Sequence, residues 1–349
     1  MTERRVGFPH PSTVKCADML QAQGVGDYDD QPNQPLPVPY TPGRAAPESV
    51  GIQDPGDGIT FQVIGDSGGV TDPNPQLAVA AALAADPADF VLSVGDADYY
   101  YGAADQWVPQ FLEPYKDVQR PIVGCPGNHE DLPGGPPGAG IATWMAMFCS
   151  PEPQAPPADP DMEYGRHTET QPYVDWTLNL KAATLIGVWS NVHPGGNLYP
   201  NQQAWLTGEL AAADPSLPVL VYMHHTAYSV DVYSGGSATL GATLDKIFEA
   251  SRWPDLVIAG HIHNRQFFSR TRPGGTTNYL VTGAGGYRNL HSVAGDYTLG
   301  MDLGGGVTCE YADASKWGYL NLTVSGGEFH GEFVGVALDG TITRGEYTF

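Results

Sequence analysis

The chain has 349 residues, 41% of them hydrophobic, with 16 Lys+Arg against 39 Asp+Glu and a formal net charge of −23. That length supports a sizeable core in one large domain or two smaller ones. The acidic balance argues against a nucleic-acid backbone or an anionic membrane surface as partner, because both recruit basic patches.

Forty-four glycines and 31 prolines point to many loops, and no apolar run reaches the roughly 18 residues of a membrane-spanning helix. The start, MTERRVGFPHPSTVKC, lacks the apolar stretch of a signal peptide. The expectation is a cytoplasmic chain as written, or a secreted one if a signal has been removed. The four cysteines, Cys16, Cys125, Cys149 and Cys309, show no CxxC spacing and are too few for a disulfide framework. Buried thiols are expected, with a single bridge such as Cys125–Cys149 as the alternative in a secreted protein.

Residues 1–57 contain the proline-rich run QPNQPLPVPYTPGRAAP and read as an irregular arm on the core or a partly ordered tail. Residues 58–349 read as one catalytic domain. Ile59–Ile64 predicts a strand, Pro75–Asp86 a helix, Phe90–Val94 a strand, Gln106–Tyr115 a helix and Pro121–Gly124 a short strand. This alternation indicates βαβ units and a mostly parallel sheet. Ile141–Phe148 predicts a short helix and Pro151–Asp161 a proline-rich loop. Strands follow at Tyr173–Leu180, Ala183–Trp189, Leu217–Met223 and Leu256–Ala259, with helices at Asn201–Ala213 and Thr239–Ala250. Later strands are expected at Gln266–Ser269, Tyr279–Thr282, Tyr319–Val324 and Phe329–Val336, with GGGVTCEYADASKWG a loop between them.

Five turns share one grammar, a short apolar strand followed by Asp, Asn or His. They are Asp66, then Asp96 with Tyr99, then Asn128-His129, then His224, then His261 with His263. Each alone carries little, since a lone histidine is more often structural. Five in succession at predicted strand ends point to one site, because open α/β sheets place ligands beyond the carboxyl ends of their strands. Carboxylate, amide oxygen and imidazole suit cations such as Zn, Mn and Fe. Two such ions about 3.5–4 Å apart favour in-line displacement at phosphorus.

The order GD…GDxxY…GNHE…H…GHxH, from Ile59 to Gly285, resembles the calcineurin-like metallophosphoesterases. Most of that superfamily has a histidine two residues after the first Asp. Here Gly68 stands in that place, and Tyr99 lies three residues after Asp96, a swap that resembles the purple acid phosphatases. The resemblance implies an αββα sandwich of two mixed β-sheets flanked by helices. It implies metal 1 on Asp66, Asp96, Tyr99 and His263, and metal 2 on Asp96, Asn128, His224 and His261, with Asp96 bridging. Tyr99 as a phenolate implies Fe(III) in site 1, with Fe(II), Zn or Mn in site 2. His129 would contact the phosphate beside Asn128 and protonate the leaving group.

The implied reaction is hydrolysis of a small phosphate monoester by metal-bound hydroxide. A phosphodiesterase, including one for cyclic nucleotides, and a non-catalytic metal-binding interaction module remain alternatives. The chain departs from the resemblance where Glu130-Asp131 follow the GNH motif and where His225-Thr226 follow His224. His225 and His193 are the candidates to supply a missing substrate-binding histidine. Tyr100, Tyr101, Trp189 and Tyr228 read either as pocket lining or as core packing. Tyr100 is expected to point away from Tyr99 if the segment is extended.

Overall fold

Most of the predicted strands are apolar on both faces, and the computed structural model shows what covers each face. It describes residues 40–348 apart from 57, 133–134, 155–165, 192–195 and 234. In chain order the regular elements begin with β1 (Gly43–Ala45), β2 (Gly58–Ile64), α1 (Asn74–Ala85), β3 (Phe90–Ser93), β4 (Ile122–Gly124) and α2 (Ile141–Phe148). The middle of the chain adds β5 (Trp176–Asn179), β6 (Thr184–Gly187), α3 (Pro200–Ala212), β7 (Val219–Tyr222), α4 (Ala238–Ala250) and β8 (Leu256–Ala259). The last part is all strand: β9 (Arg265–Arg272), β10 (Gly275–Thr282), β11 (Met301–Gly304), β12 (Val307–Asp313), β13 (Trp317–Ser325), β14 (Glu328–Val336) and β15 (Ile342–Thr348).

These strands form a six-stranded sheet, β15-β14-β13-β2-β3-β4, and a nine-stranded sheet, β1-β5-β6-β7-β8-β10-β9-β12-β11. Both are mixed. β2, β3 and β4 run parallel while β13 joins β2 antiparallel. β6, β7, β8 and β10 run parallel while β9 joins β10 antiparallel.

Alternate side chains on each strand enter different cores. Phe61, Leu92, Leu185, Leu220 and Ile258 meet in the core between the sheets. Ile186, Val221 and Val257 point the other way, onto Leu206 and Leu210 of α3 and Leu240, Leu244 and Phe248 of α4. Ile64, Val91 and Ile122 face Val79 and Leu83 of α1 and Trp144 and Phe148 of α2. Three apolar layers therefore separate four structural layers, the expected αββα sandwich.

Several local expectations change. No long helix forms over Gln106–Tyr115; Ala104–Gln106 is a single tight turn and Val108–Leu112 a single wide one. Pro109 stands in the first turn of Val108–Leu112, where its missing N–H is tolerated, and it bars a regular helix from continuing out of Ala104–Gln106. The stretch expected as a loop before the last strands contains β12, which lies between β9 and β11. Part of the N-terminal arm is built in as well. β1 pairs parallel with β5 at the sheet edge, and Val50 and Ile52 join the central core. Cys125, Cys149 and Cys309 are free thiols, so no Cys125–Cys149 bridge forms; Cys16 lies outside the described residues. So does most of the predicted proline-rich loop Pro151–Asp161.

Candidate metal centre

The carboxyl ends of β2, β3 and β4 meet those of β7 and β8, and the five turns are the segments that follow these strands. Asp66, Asp96 and His261 adopt left-handed backbone, with φ of 56°, 56° and 67°. That region is uncommon for residues other than glycine. Here it is held by hydrogen bonds between turns. Asp66 N–H donates to Gly95 O at 2.9 Å and Ser67 N–H to Asp96 O at 2.9 Å. His261 N–H donates to Asp66 Oδ2 at 2.7 Å. Gly95 is required: φ is 95°, and a Cβ would lie 2.5 Å from Gly127 N and 2.7 Å from His224 Nδ1.

The side chains converge in two groups. In the first, Tyr99 Oη lies 3.4 Å from Asp66 Oδ1 and 3.3 Å from His263 Nε2, and His263 Nε2 lies 3.2 Å from Asp66 Oδ1. In the second, Asn128 Oδ1 lies 3.0 Å from both His224 Nε2 and His261 Nδ1, and His224 Nε2 lies 3.3 Å from Asp96 Oδ2. Ligand atoms of Asp66, Asp96 and His224 all lie within 4.8 Å of one another, so the groups are contiguous, and these three residues are buried. Gly68 has a geometric cause. A Cβ there would lie 2.7 Å from Tyr99 Cδ2, so the tyrosine ring occupies the room a larger side chain would need.

The donor set fits cations, and the hydrogen bonds show why. His224 Nδ1 faces the Val94 carbonyl at 2.8 Å and His263 Nδ1 the Asn289 carbonyl at 3.0 Å. In the neutral form each ring then carries its proton on Nδ1 and aims a bare Nε2 into the site. The Nε2 of His224 thus confronts two oxygen acceptors, and the buried Asp96 Oδ2 accepts no hydrogen bond. Acceptors facing acceptors require a proton or a metal ion between them. Burial disfavours a charged His224, yet the Asp96 carboxylate more than offsets this and raises it to about 10. Burial, followed by the charge on His224, drops His261 to about 4. A cation in the second group would take over what a proton on His224 otherwise does.

His129 stands beside this cluster. Its backbone N–H donates to Asp96 Oδ1 at 2.9 Å, while its Nε2 remains 4.0 Å from Asp96 Oδ2. The ring packs on Tyr99 at 4.3 Å and Tyr100 at 5.1 Å, with its side chain 20% exposed. Burial lowers its pKa below that of an ordinary imidazole.

His225 is buried, with Nδ1 on Ser190 Oγ at 3.0 Å and its ring 4.6 Å from that of His261. His193 lies outside the described residues. Trp189 and Tyr228 are buried in core clusters, whereas Tyr100 and Tyr101 are exposed. Tyr100 does not point away from the site, because the chain turns at this point instead of extending; its hydroxyl meets that of Tyr287 at 2.9 Å.

Residues that sequence reasoning left without a role complete the setting. The buried Glu130 carboxylate accepts N–H bonds from Asp96, Ala97, Asp98 and Gly127, locking the two turns that carry Asp96 and Asn128. Its place in GNHE was visible, but a carboxylate turned onto backbone gives no periodic signal. Burial, with Glu130 and Asp105 adding repulsion, raises Asp98 to about 8. Tyr287 stacks on Tyr99 at 4.3 Å, and the His291 ring lies 4.3 Å from that of His263, with Asp231 Oδ2 3.4 Å from its Nδ1. The only cue to these was their position just after the Gly283–Gly286 turn.

A family model described as calcineurin-like phosphoesterase matches residues 59–265. Among solved structures, the purple acid phosphatase PPD1 from yellow lupin (Lupinus luteus) seeds superposes with a TM-score of 0.56 at 15% identity, over 83% of this chain and 54% of the lupin one. This chain thus spans about half the length of that phosphatase. GAP50, the anchor in the inner membrane complex of Plasmodium, gives 0.58 at 15% identity over 84% and 89% of the two chains. A dimetal phosphatase from Danio rerio gives 0.50 at 9% identity over 83% and 99%. At these identities the likeness is one of fold. No curated protein sequence matches the chain.

Proposed function

From the premise that this chain belongs to the calcineurin-like phosphoesterase family, we propose that it hydrolyses small phosphate monoesters in the manner of a purple acid phosphatase. The observation that carries the reading is the convergence of Asp66, Tyr99 and His263 with Asp96, Asn128, His224 and His261, beside the open His129. Asp66, Asp96, Tyr99 and His263 would hold one cation and Asp96, Asn128, His224 and His261 the other. Two cations there would supply the charge that lowers the pKa of a water and offsets the phosphate oxygens.

The rest is work for the chain's own groups. His129 is free of any role in holding His224 or His261, and a proton on its imidazole would pass to the leaving oxygen as the P–O bond breaks. The attacking water would supply the hydroxyl that phosphorus keeps and lose its spare proton to solvent, and His129 would recover its own proton from solvent. Burial, reinforced by Asp96 and Asp66, keeps the Tyr99 phenol far above its usual range. Only a strongly charged cation would ionise it, which supports Fe(III) in the first site, with Fe(II), Zn or Mn in the second.

Metal analysis with a visible spectrum, followed by assays on p-nitrophenyl phosphate and its bis-ester, tests the proposal. Two metals per chain and a higher kcat/KM on the monoester are expected. Preference for the diester would make the chain a phosphodiesterase. Full metal occupancy with no turnover of either would leave a metal-binding module.

A further inference from the structure

One wall of the site is a row of rings, and Tyr100, Tyr287, His291 and Tyr233 in it have no part in the reaction above. From His129, ring follows ring outward. Tyr100 lies 5.1 Å from His129, and its hydroxyl meets that of Tyr287 at 2.9 Å. Tyr287 packs 4.8 Å from His263, His263 4.3 Å from His291, and His291 4.9 Å from Tyr233. Tyr100 is 39% exposed and Tyr233 58% exposed, so this aromatic ledge is open at both ends.

We infer that this ledge, with Tyr100 as its inner platform, is a leaving-group subsite for phosphate monoesters of planar aromatic or heteroaromatic alcohols. The inference rests on the phosphomonoesterase reading above. If His129 protonates the leaving oxygen, the body of the leaving group lies beside His129, and Tyr100 is the exposed ring packed against it. Offset stacking or edge contact with Tyr100 rewards a flat leaving group and gives little to a short alkyl one. The pairing of the Tyr100 and Tyr287 hydroxyls fixes the platform's orientation. A polyanionic leaving group meets the opposite conditions. The chain carries 16 Lys+Arg against 39 Asp+Glu.

The experiment titrates the metal-loaded protein with phenylphosphonate and methylphosphonate, which cannot be hydrolysed, and measures kcat/KM for phenyl and ethyl phosphate. The wild type should bind phenylphosphonate about 10-fold tighter than methylphosphonate. Tyr100→Ala should lower that preference, and the phenyl-to-ethyl ratio of kcat/KM, by about 10-fold relative to the wild type. Tyr100→Phe, which keeps the ring, should stay within about 3-fold of wild type. Comparing ratios between proteins cancels the intrinsic advantage of phenol as a leaving group. An unchanged preference in Tyr100→Ala, or none in the wild type, overturns the subsite while leaving the phosphatase reading intact. A two-metal protein that binds neither phosphonate and turns over neither ester overturns both.

Discussion

The two sheets bring different chemistry to the place where they meet. The ends of β2, β3 and β4 carry the oxygen donors Asp66, Asp96, Tyr99 and Asn128, whereas the ends of β7 and β8 carry the imidazoles His224, His261 and His263. Most of the oxygen side is positioned from within its own sheet, although Asp66 Oδ2 also accepts from His261 N–H across the seam. Glu130 ties the Asp96 and Asn128 turns together, and Asp66 and Asp96 take left-handed backbone held by bonds between neighbouring turns. Part of the nitrogen side is positioned from outside. His224 is oriented by Val94 O, which belongs to the other sheet's turn, and His263 by Asn289 O from a loop. A metal centre built this way closes the sandwich at its open end, and each side fails differently when altered.

The largest effect is expected on the oxygen side. In the proposed site Asp96 is the shared ligand, and its buried Oδ2 accepts no hydrogen bond and lies 3.3 Å from His224 Nε2. Asp96→Asn removes the shared charge and leaves an amide N–H or a single oxygen facing the imidazoles. Metal content measured by plasma emission should fall in both sites, and activity should be lost almost entirely, with far-ultraviolet circular dichroism retained. Two metals per chain at near-normal turnover would remove Asp96 from its bridging role.

His129 is the imidazole on the wrong side of the comparison, attached to the oxygen-bearing sheet and aimed at no metal-ligand partner within 3.5 Å through its ring nitrogens among the described contacts. His129→Ala should therefore keep its metals while kcat falls about 10²–10⁴-fold, the usual loss for a general acid. The loss should be steeper for alkyl than for p-nitrophenyl phosphate, since good leaving groups need little protonation. Burial lowers the His129 pKa, so the protonated acid grows only as pH falls on the acid side of neutrality. The wild-type rate on alkyl esters should rise with that fall and flatten in the variant. Parallel pH–rate profiles would assign the proton to another group.

How much of this was legible in the sequence divides along the same line. The oxygen donors follow successive strands of βαβ units at short spacing, so GD, GDxxY and GNHE announced them. The imidazoles were legible as residues, but not what orients them, because Val94 O and Asn289 O are backbone atoms far away in the chain. Tyr100 faces His129 and Tyr287 because the chain turns here, and the expectation that it points away applies only to an extended segment. β12 was hidden by its glycine-flanked, polar outer face, although Val307 and Cys309 alternate inward. Strands with one wet face give weaker signals than strands buried on both.

A smaller effect, on stability first, should follow from Glu130→Ala. Four backbone N–H groups that now meet one carboxylate would lose their acceptor inside the protein. Unpaired buried donors cost about 1–3 kcal/mol each, so a loss of roughly 3 kcal/mol or more is expected in urea unfolding. Glu130→Gln, which keeps one oxygen, should recover part of it. Burial and the Asp96 charge raise Glu130 to about 7, above its ordinary value. Its carboxylate form is therefore the costly one near neutrality, and removing it relieves one repulsion while leaving four donors bare. A variant as stable as wild type would mean that the two turns are held by something other than Glu130.

The smallest change in structure tests the choice of metal. Tyr99 is fully buried between His129 and Tyr287, with its hydroxyl against Asp66 and His263. Tyr99→Phe keeps the ring that fills the space beside Gly68, so packing and fold should survive, with a stability change of about 1 kcal/mol. What it removes is the one oxygen of the first group that is neutral until a strong cation ionises it. If Fe(III) occupies that group, phenolate-to-metal charge transfer should colour the wild type pink to purple, and the variant should be colourless and hold its trivalent iron less tightly. Tyr100 is the control, because its hydroxyl is committed to Tyr287 at 2.9 Å and faces no carboxylate of the cluster. Tyr100→Phe should stay coloured. A colourless iron-loaded wild type under oxidising conditions would take Fe(III) out of the first site. A coloured Tyr99→Phe beside a colourless Tyr100→Phe would move the ligand one residue along the chain. Either result would also bear on the comparison of the two sheets, since Tyr99, like Asn128, is an oxygen donor that contacts an imidazole of the opposite sheet without a carboxylate's charge.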